Sequence, residues 1–360
     1  MSNKHLIITL DSVSKYYGSV RAVDNVSLSI GRGQMLVLLG SSGCGKTTAL
    51  RLIAGLERPD AGEIWLDGDL VAGNGHWTPP EQRRIGMVFQ DYALFPHLTS
   101  MENIAFPLHS QTAQQRRARV EDLLALVGME GMGDRYPHQL SGGMLQRVAI
   151  AQALASDPKI IVLDEPVSAL DVSIRAQIMN LLQDLRRDLG VSFFMISHDL
   201  ATMRYLSDEI GVMYLGKLVE YGPADQVFDE PRHPYTAALL SAAPEIRPGS
   251  SRRSSSRIVL AGDIPSPEEP QQGCSFHTRC PLWLKLDRPS VCVEEDPVLQ
   301  STGENHSVAC HFWESTRAEL APTGVSSGAT GDTSQAANRL LETNAAQDQE
   351  HQDERADRPW

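Results

Sequence analysis

The 360-residue sequence predicts an α/β fold with a parallel sheet, built around a phosphate-binding loop. Three observations predict it. Short apolar runs alternate with segments of helical spacing from residue 1 to about residue 245. Residues 40–48 read GSSGCGKTT, between one such run and one such segment. Residues 160–163 are apolar at every position, as in a strand buried on both faces, and lead into two carboxylates, Asp164 and Glu165.

The elements follow in order. Residues 34–39 form the apolar run that enters the glycine-rich loop. Residues 46–56 leave the loop with helical spacing at Leu50, Ile53 and Ala54. Residues 84–89 read as another strand. Residues 99–155 are mostly helical in pattern, as in Val120, Leu123, Leu124 and Val127. After the strand at 160–163, residues 171–189 predict an amphipathic helix and residues 193–196 a buried strand. Residues 212–221 read as a hairpin turning at Leu215-Gly216-Lys217. These elements make one domain over 1–245, with a helical subdomain at about 91–158. Residues 246–257 are a linker by composition, residues 258–313 hold four cysteines, and residues 314–360 have the composition of a disordered tail.

Composition narrows the class. Hydrophobic residues make up 41% and charged residues 21%, ordinary for a soluble protein. No apolar stretch approaches the roughly 18 residues of a membrane helix. The N-terminal run at 6–10 is interrupted by Asp11 and is too short for a signal peptide, so the chain is expected in the cytoplasm. The formal net charge of −13 argues against nonspecific binding of nucleic acid.

The loop carries phosphate chemistry. Gly40, Gly43 and Gly45 let backbone N–H groups turn inward around phosphates, with Ser41, Ser42 and Cys44 between them. The helix that opens at Lys46 adds a field favourable to anions. Lys46 reaches the β- and γ-phosphates of ATP, Thr47 is placed to ligate Mg2+, and Thr48 completes the motif. Asp164 would hold Mg2+ through water, and Glu165 would orient and polarise the attacking water.

Residues 140–144, Leu-Ser-Gly-Gly-Met, followed by Gln146-Arg147, resemble the signature of the ABC transporter nucleotide-binding domains. Met144 stands where that family usually has glutamine. The resemblance covers residues 4 to about 245. It implies a phosphate-binding-loop NTPase core of ABC type, with a helical subdomain and an N-terminal antiparallel β part. It implies that Ser141, Gly142 and Gly143 bind the ATP held by a second subunit, identical or paralogous. Tyr17 resembles the aromatic that stacks on adenine, with Tyr16 as the competing choice. Gln90 resembles the glutamine that senses Mg2+ and the permease. Asp171, in Ser168-Ala169-Leu170-Asp171, resembles the loop joining the two subunits, and His198 resembles the switch histidine. The resemblance also implies two integral-membrane permeases, a solute-binding protein outside the membrane, and a place on the membrane's cytoplasmic face. Residues 92–97 are a candidate docking surface for the permeases.

The transporter group is divided in the sequence. The front half, with GSSGCGKTT and RIGMVFQDYALFPHLT, looks like ferric-ion, polyamine or sugar importer ATPases. The back half looks like the oligopeptide, dipeptide and nickel importer group: DEPVSALDVS at 164–173, HPYTAALLS at 233–241, and the later cysteine-containing segments. The back half is the more specific, which favours peptide import. A soluble, non-transport ABC ATPase is a further alternative.

Cys274, Cys280, Cys292 and Cys310 follow the spacing C-x5-C-x11-C-x17-C, without the paired C-x2-C of a zinc ribbon. Four thiolates can hold zinc or an iron–sulfur cluster. They also suit a small module packed with reduced cysteines. His277, His306 and His311 lie near enough in sequence to substitute as ligands. The peptide-importer resemblance implies a four-iron, four-sulfur cluster.

Overall fold

A computed structural model describes residues 6–198, 200–242, 257–266, 272–303 and 305–320. It opens with two long strands, β1 (Leu6–Tyr17) and β2 (Val20–Gly31), paired antiparallel. β3 (Met35–Leu39) is buried at every residue and leads through the glycine-rich loop into α1 (Lys46–Ala54). Next come β4 (Ala61–Leu66), β5 (Asp69–Gly73), β6 (His76–Trp77) and β7 (Ile85–Val88). Three helices follow: α2 (Ser100–Ala105), α3 (Ala113–Leu126) and α4 (Gly142–Leu154). The chain returns through β8 (Ile160–Asp164), α5 (Val172–Leu189), β9 (Ser192–Ile196), α6 (Leu200–Leu206), β10 (Glu209–Tyr214) and β11 (Lys217–Pro223). It closes with α7 (Ala224–Asp229), α8 (Pro234–Ser241), α9 (Pro281–Lys285), α10 (Val291–Glu294), β12 (Gln300–Ser301), β13 (Ser307–Val308) and α11 (Trp313–Leu320).

Two sheets result. One is antiparallel, in the order β2-β1-β4-β5-β6. The other runs β12-β13-β11-β10-β3-β9-β8-β7, and its five strands β10, β3, β9, β8 and β7 are parallel. Alternation along a strand sends successive side chains to opposite faces. Met35, Val37 and Leu39 therefore join the core shared with α4 and α5, while Leu36 and Leu38 join the core shared with α1 and the antiparallel sheet. Burial on both faces explains why these strands read as continuous apolar runs.

The predicted strand at 84–89 is shorter in the structure, because Arg84 takes φ 53° and breaks extension before Ile85. The predicted hairpin turns at Leu215-Gly216, both at positive φ, as a two-residue turn requires. A Cβ on Gly216 would lie 2.4 Å from the Arg21 carbonyl oxygen, so only glycine fits there. Two of that residue's backbone groups tie the hairpin down: its N–H donates to the Cys44 carbonyl and its carbonyl accepts from Asp24 N–H.

One expectation needs correction. The segment from 314 onward has a disordered composition, yet residues 314–320 continue α11. Its Thr316 hydroxyl donates to the Arg232 carbonyl at 2.8 Å and its Leu320 is buried. The helix packs on α8 and α9, a tertiary contact that composition does not report. The rest of the expected tail, and all of the expected linker except Arg257, lie outside the described residues.

Candidate functional site

The parallel register brings most of the candidate residues to one edge. Leu38 of β3 pairs with Ile196 of β9, Ile196 with Asp164 of β8, and Leu163 with Val88 of β7. The C-terminal ends of four adjacent strands thus present the loop 40–48, His198, Asp164-Glu165 and Gln90 side by side. Ligand sites of open α/β sheets form at such edges.

The loop's shape follows from its glycines. Gly40, Gly43 and Gly45 have φ of 148°, 77° and 106°. At Gly40 and Gly45 a Cβ would strike backbone, Met213 O at 2.4 Å and Ala22 O at 2.0 Å. Lys46 is buried, and its ammonium donates to the carbonyls of Gly40 and Ser41 at 2.8 and 2.9 Å. It also lies 3.8 Å from Cys44 Sγ, whose thiol is pushed up by burial. That thiol is packing inside the loop. Ser42, Gly43 and Thr47 are exposed where a triphosphate would lie. Tyr17 stands exposed beside the loop, within reach of Thr48 and Glu57, with the Lys15 ammonium 5.4 Å from its ring centroid.

Asp164 is half-buried. Burial raises its pKa, the neighbouring Glu165 raises it further, and Arg51 and Lys46 pull it back. Two adjacent carboxylates beside a lysine suit a divalent cation bound to phosphate. Glu165 takes φ 46°, and its carboxylate lies 3.1 Å from His198 Nδ1. Gln90 is exposed just beyond β7.

Ser141, Gly142 and Gly143 are not on this edge. They open α4, which packs on α2, α3 and α5. Ser141 caps the helix, accepting from Met144 N–H at 3.4 Å. A Cβ on Gly143 would meet Ile174 at 2.5 Å. Asp171 caps α5, accepting from Ile174 N–H at 3.0 Å and from the Ser173 hydroxyl at 2.8 Å.

The four cysteines converge. Cys274, Cys280, Cys292 and Cys310 all line a cavity of about 20 Å³, joined by His233, His277 and His311. Burial is the main cause raising all four thiols: Cys274 and Cys310 are pushed up to about 12 and Cys280 to about 11. Four thiols are the kind of donor a thiophilic metal takes, and such a metal would displace those protons on binding. Among the described residues, no three His, Cys, Asp or Glu side chains are grouped tightly enough for a single metal ion. His306 is elsewhere. It is fully buried, 2.8 Å from the Glu220 carboxylate.

Three residues of consequence were not singled out in the sequence. Arg51 balances the charge on Asp164. Arg83 binds the end of α1, donating to the carbonyls of Leu52 and Ile53. Tyr235 touches the phosphate loop, accepting from Ser41 N–H at 2.9 Å. Only Tyr235 carried a signal, as the aromatic in HPYTAALLS.

Comparison with known proteins agrees with this geometry. A family model described as "ABC transporter" matches residues 23–168, and one described as "Oligopeptide/dipeptide transporter, C-terminal region" matches residues 219–285. The chain is 41% identical over 332 residues to the oligopeptide transport ATP-binding protein AppF of Bacillus subtilis (strain 168), covering 87% of this chain and 99% of that protein. It is 43% identical over 298 residues to the dipeptide transport ATP-binding protein DppF of Escherichia coli (strain K12), covering 81% and 86%. Among solved structures it is similar to a dimeric post-hydrolysis state of the ATP-binding cassette MJ0796 bound to ADP and Pi. There the TM-score is 0.55 and the identity 34%, over 61% of this chain and 99% of that one.

Proposed function

The chain belongs to the ABC transporter ATP-binding family, within the group that carries the oligopeptide/dipeptide C-terminal region, and we propose that it powers a peptide importer. It is an ATPase of that family. The observation that carries the peptide reading is the continuity of the match. Relatives named for oligopeptide and dipeptide transport align with 81–87% of the chain, including the front half that looks like other importers.

In this reading the loop 40–48 wraps the phosphates of ATP and Tyr17 stacks on its adenine. Lys46 leaves the Gly40 and Ser41 carbonyls to meet the β- and γ-phosphates. Thr47, Gln90 and Asp164 would hold Mg2+, whose charge neutralises the phosphate oxygens during transfer. Glu165 orients the attacking water, and His198, already against Glu165, turns to the γ-phosphate. Ser141, Gly142 and Gly143 of the partner subunit close the site from the other side, and Asp171 lies where the two subunits join. The partner is a second copy or a close paralogue. Two membrane permeases and an external solute-binding protein complete the transporter. Among the described residues no helix is long and apolar enough to cross a membrane. In this reading the chain attaches to its permeases at the cytoplasmic face, with residues 92–97 as the docking segment.

We further read the cysteine cavity as the seat of a four-iron, four-sulfur cluster held by Cys274, Cys280, Cys292 and Cys310. Its support is four thiols around one cavity. Zinc is the competing occupant.

The transport reading is tested by using the chain as bait on native membranes and identifying what co-purifies. Two permeases and a peptide-type binding protein are expected. Ferric-ion or polyamine permeases, or soluble partners with no permease, would overturn it.

A further inference from the structure

Tyr235 begins the second residue of α8, far along the chain from the phosphate loop, yet its hydroxyl lies 2.9 Å from Ser41 N. The residue is only 3% exposed. Its own backbone N–H donates to His233 Nδ1 at 3.1 Å, and His233 N–H donates to the buried carboxylate of Glu220 at 2.9 Å. The Gly40–Ser41 peptide is therefore gripped at both ends: Tyr235 accepts from its N–H, and Lys46 donates to its carbonyl, that of Gly40, at 2.8 Å.

The ring of Tyr235 faces the other way. Its centroid is 5.5 Å from that of Phe276 and 4.8 Å from that of Tyr214, and Phe276 and Tyr214 are themselves 5.1 Å apart. Phe276 sits between Cys274 and Cys280 in sequence and lines the cavity that the four cysteines share. Aromatic packing of this density transmits displacement, because a close-packed interior leaves a ring no room to move alone. Two packed rings, Tyr235 and Phe276, thus link the nucleotide loop to the cysteine cavity.

We propose that Tyr235 is a positioning residue for the phosphate-binding loop: its hydroxyl fixes the Ser41 peptide, and its ring couples that peptide to the packing of Phe276 in the cysteine cavity. The proposal rests on the reading of the loop as the ATP site. It does not depend on what the cavity holds.

The physical basis is the cost of leaving a part-buried N–H without its partner. Tyr235→Phe keeps the ring and removes only the acceptor, so the Ser41 peptide must turn to find another. The loop's resting shape then departs from the one that receives phosphates, and binding carries the cost of restoring it.

The test measures equilibrium binding of a fluorescent ATP analogue, steady-state KM and kcat, and thermal midpoints. The proteins are the wild-type full-length chain, Tyr235→Phe, Phe276→Leu and the double variant. Tyr235→Phe is expected to weaken nucleotide binding and raise KM by roughly tenfold, with kcat within about twofold of wild type. Phe276→Leu is expected to weaken binding in the wild-type background and to add little in the Tyr235→Phe background, the mark of one shared route. A Tyr235→Phe chain with wild-type affinity and KM, whatever its thermal midpoint, overturns the positioning role. Additive effects of the two substitutions overturn the coupling. A wild-type chain that binds no nucleotide overturns the ATP-site reading itself and this inference with it.

Discussion

Glu165 ends a buried strand in a backbone conformation that few side chains adopt, with φ 46°. The turn puts its carboxylate outside the sheet, against His198 at 3.1 Å, while its own N–H stays bound to the Ile196 carbonyl. Its neighbour Asp164 lies in the field of Arg51 and Lys46, which pull its pKa down against burial. Two carboxylates adjacent in sequence are thereby given separate surroundings, one beside the lysine and one beside the histidine. Glu165→Gln keeps the shape and removes the charge that polarises water. Hydrolysis is expected to fall by roughly a hundredfold or more while ATP binding persists, and an ATP-held dimer should accumulate on size-exclusion chromatography. Wild-type turnover by that variant would remove Glu165 from its assigned role. At this scale the sequence was informative about Lys46, Asp164 and Glu165, because glycine spacing and strand-end carboxylates constrain chemistry locally. It was silent about Arg51, whose charge matters only once α1 and β8 are packed together.

At the scale of elements, α1 shows how a helix is held against the phosphates it serves. Its N-terminus must stay open for a ligand, so its fixed point is its other end. Gly55, in the left-handed region, closes the last turn by donating to Leu52 O at 3.2 Å. Arg83 also binds two carbonyls of this last turn, donating to Leu52 O at 2.7 Å and Ile53 O at 2.8 Å. It also donates to Thr78 O at 2.9 Å and Val71 O at 3.3 Å in the antiparallel sheet. The residue is 5% exposed, and burial lowers its pKa to about 10, so it remains charged at neutral pH. Arg83→Met leaves four carbonyls without this donor. The expected loss is about 3 kcal/mol in urea unfolding. Arg84→Met, at an exposed neighbour, should cost about 0.5 kcal/mol or less. Equal effects of the two substitutions would refute the capping role. In sequence nothing marks Arg83 as the one that binds the helix end: it stands beside Arg84 after a proline-rich turn, with Arg84 opening the predicted strand.

At the scale of the whole molecule, the C-terminal segment is part of the core. β13 adds to the edge of β11, pairing Val308 with Glu220 and Ser307 with Tyr221. Glu220, with no exposed surface, accepts from Arg232 N, His233 N and His306 Nε2. A buried carboxylate demands such partners, and here they come from both sides of the segment between α8 and β13. The same closure brings Cys310 to the cavity of Cys274, Cys280 and Cys292. No one stretch of chain supplies the thiols, so the cluster reading makes a prediction about the whole fold. Protein purified without oxygen should carry about four irons and four acid-labile sulfides per chain and be brown. Cys310→Ser should lose most of both although three neighbouring cysteines remain. Zinc alone, or a folded and metal-free wild-type chain, would overturn the cluster.

The sequence by itself determined the phosphate loop, the carboxylates at the strand end and the alternating fold around them. Each of these is a local pattern whose spacing is set by backbone geometry or by the depth of a buried strand. It also determined the transporter group, through segments in the back half of the chain. Tertiary structure alone decided that loop, carboxylates and histidine share one edge, that four dispersed cysteines share one cavity, and that Tyr235 and Phe276 link the two. Those are contacts across long sequence separations. They arise from strand register and from the packing of apolar faces, which a single side chain's identity does not encode.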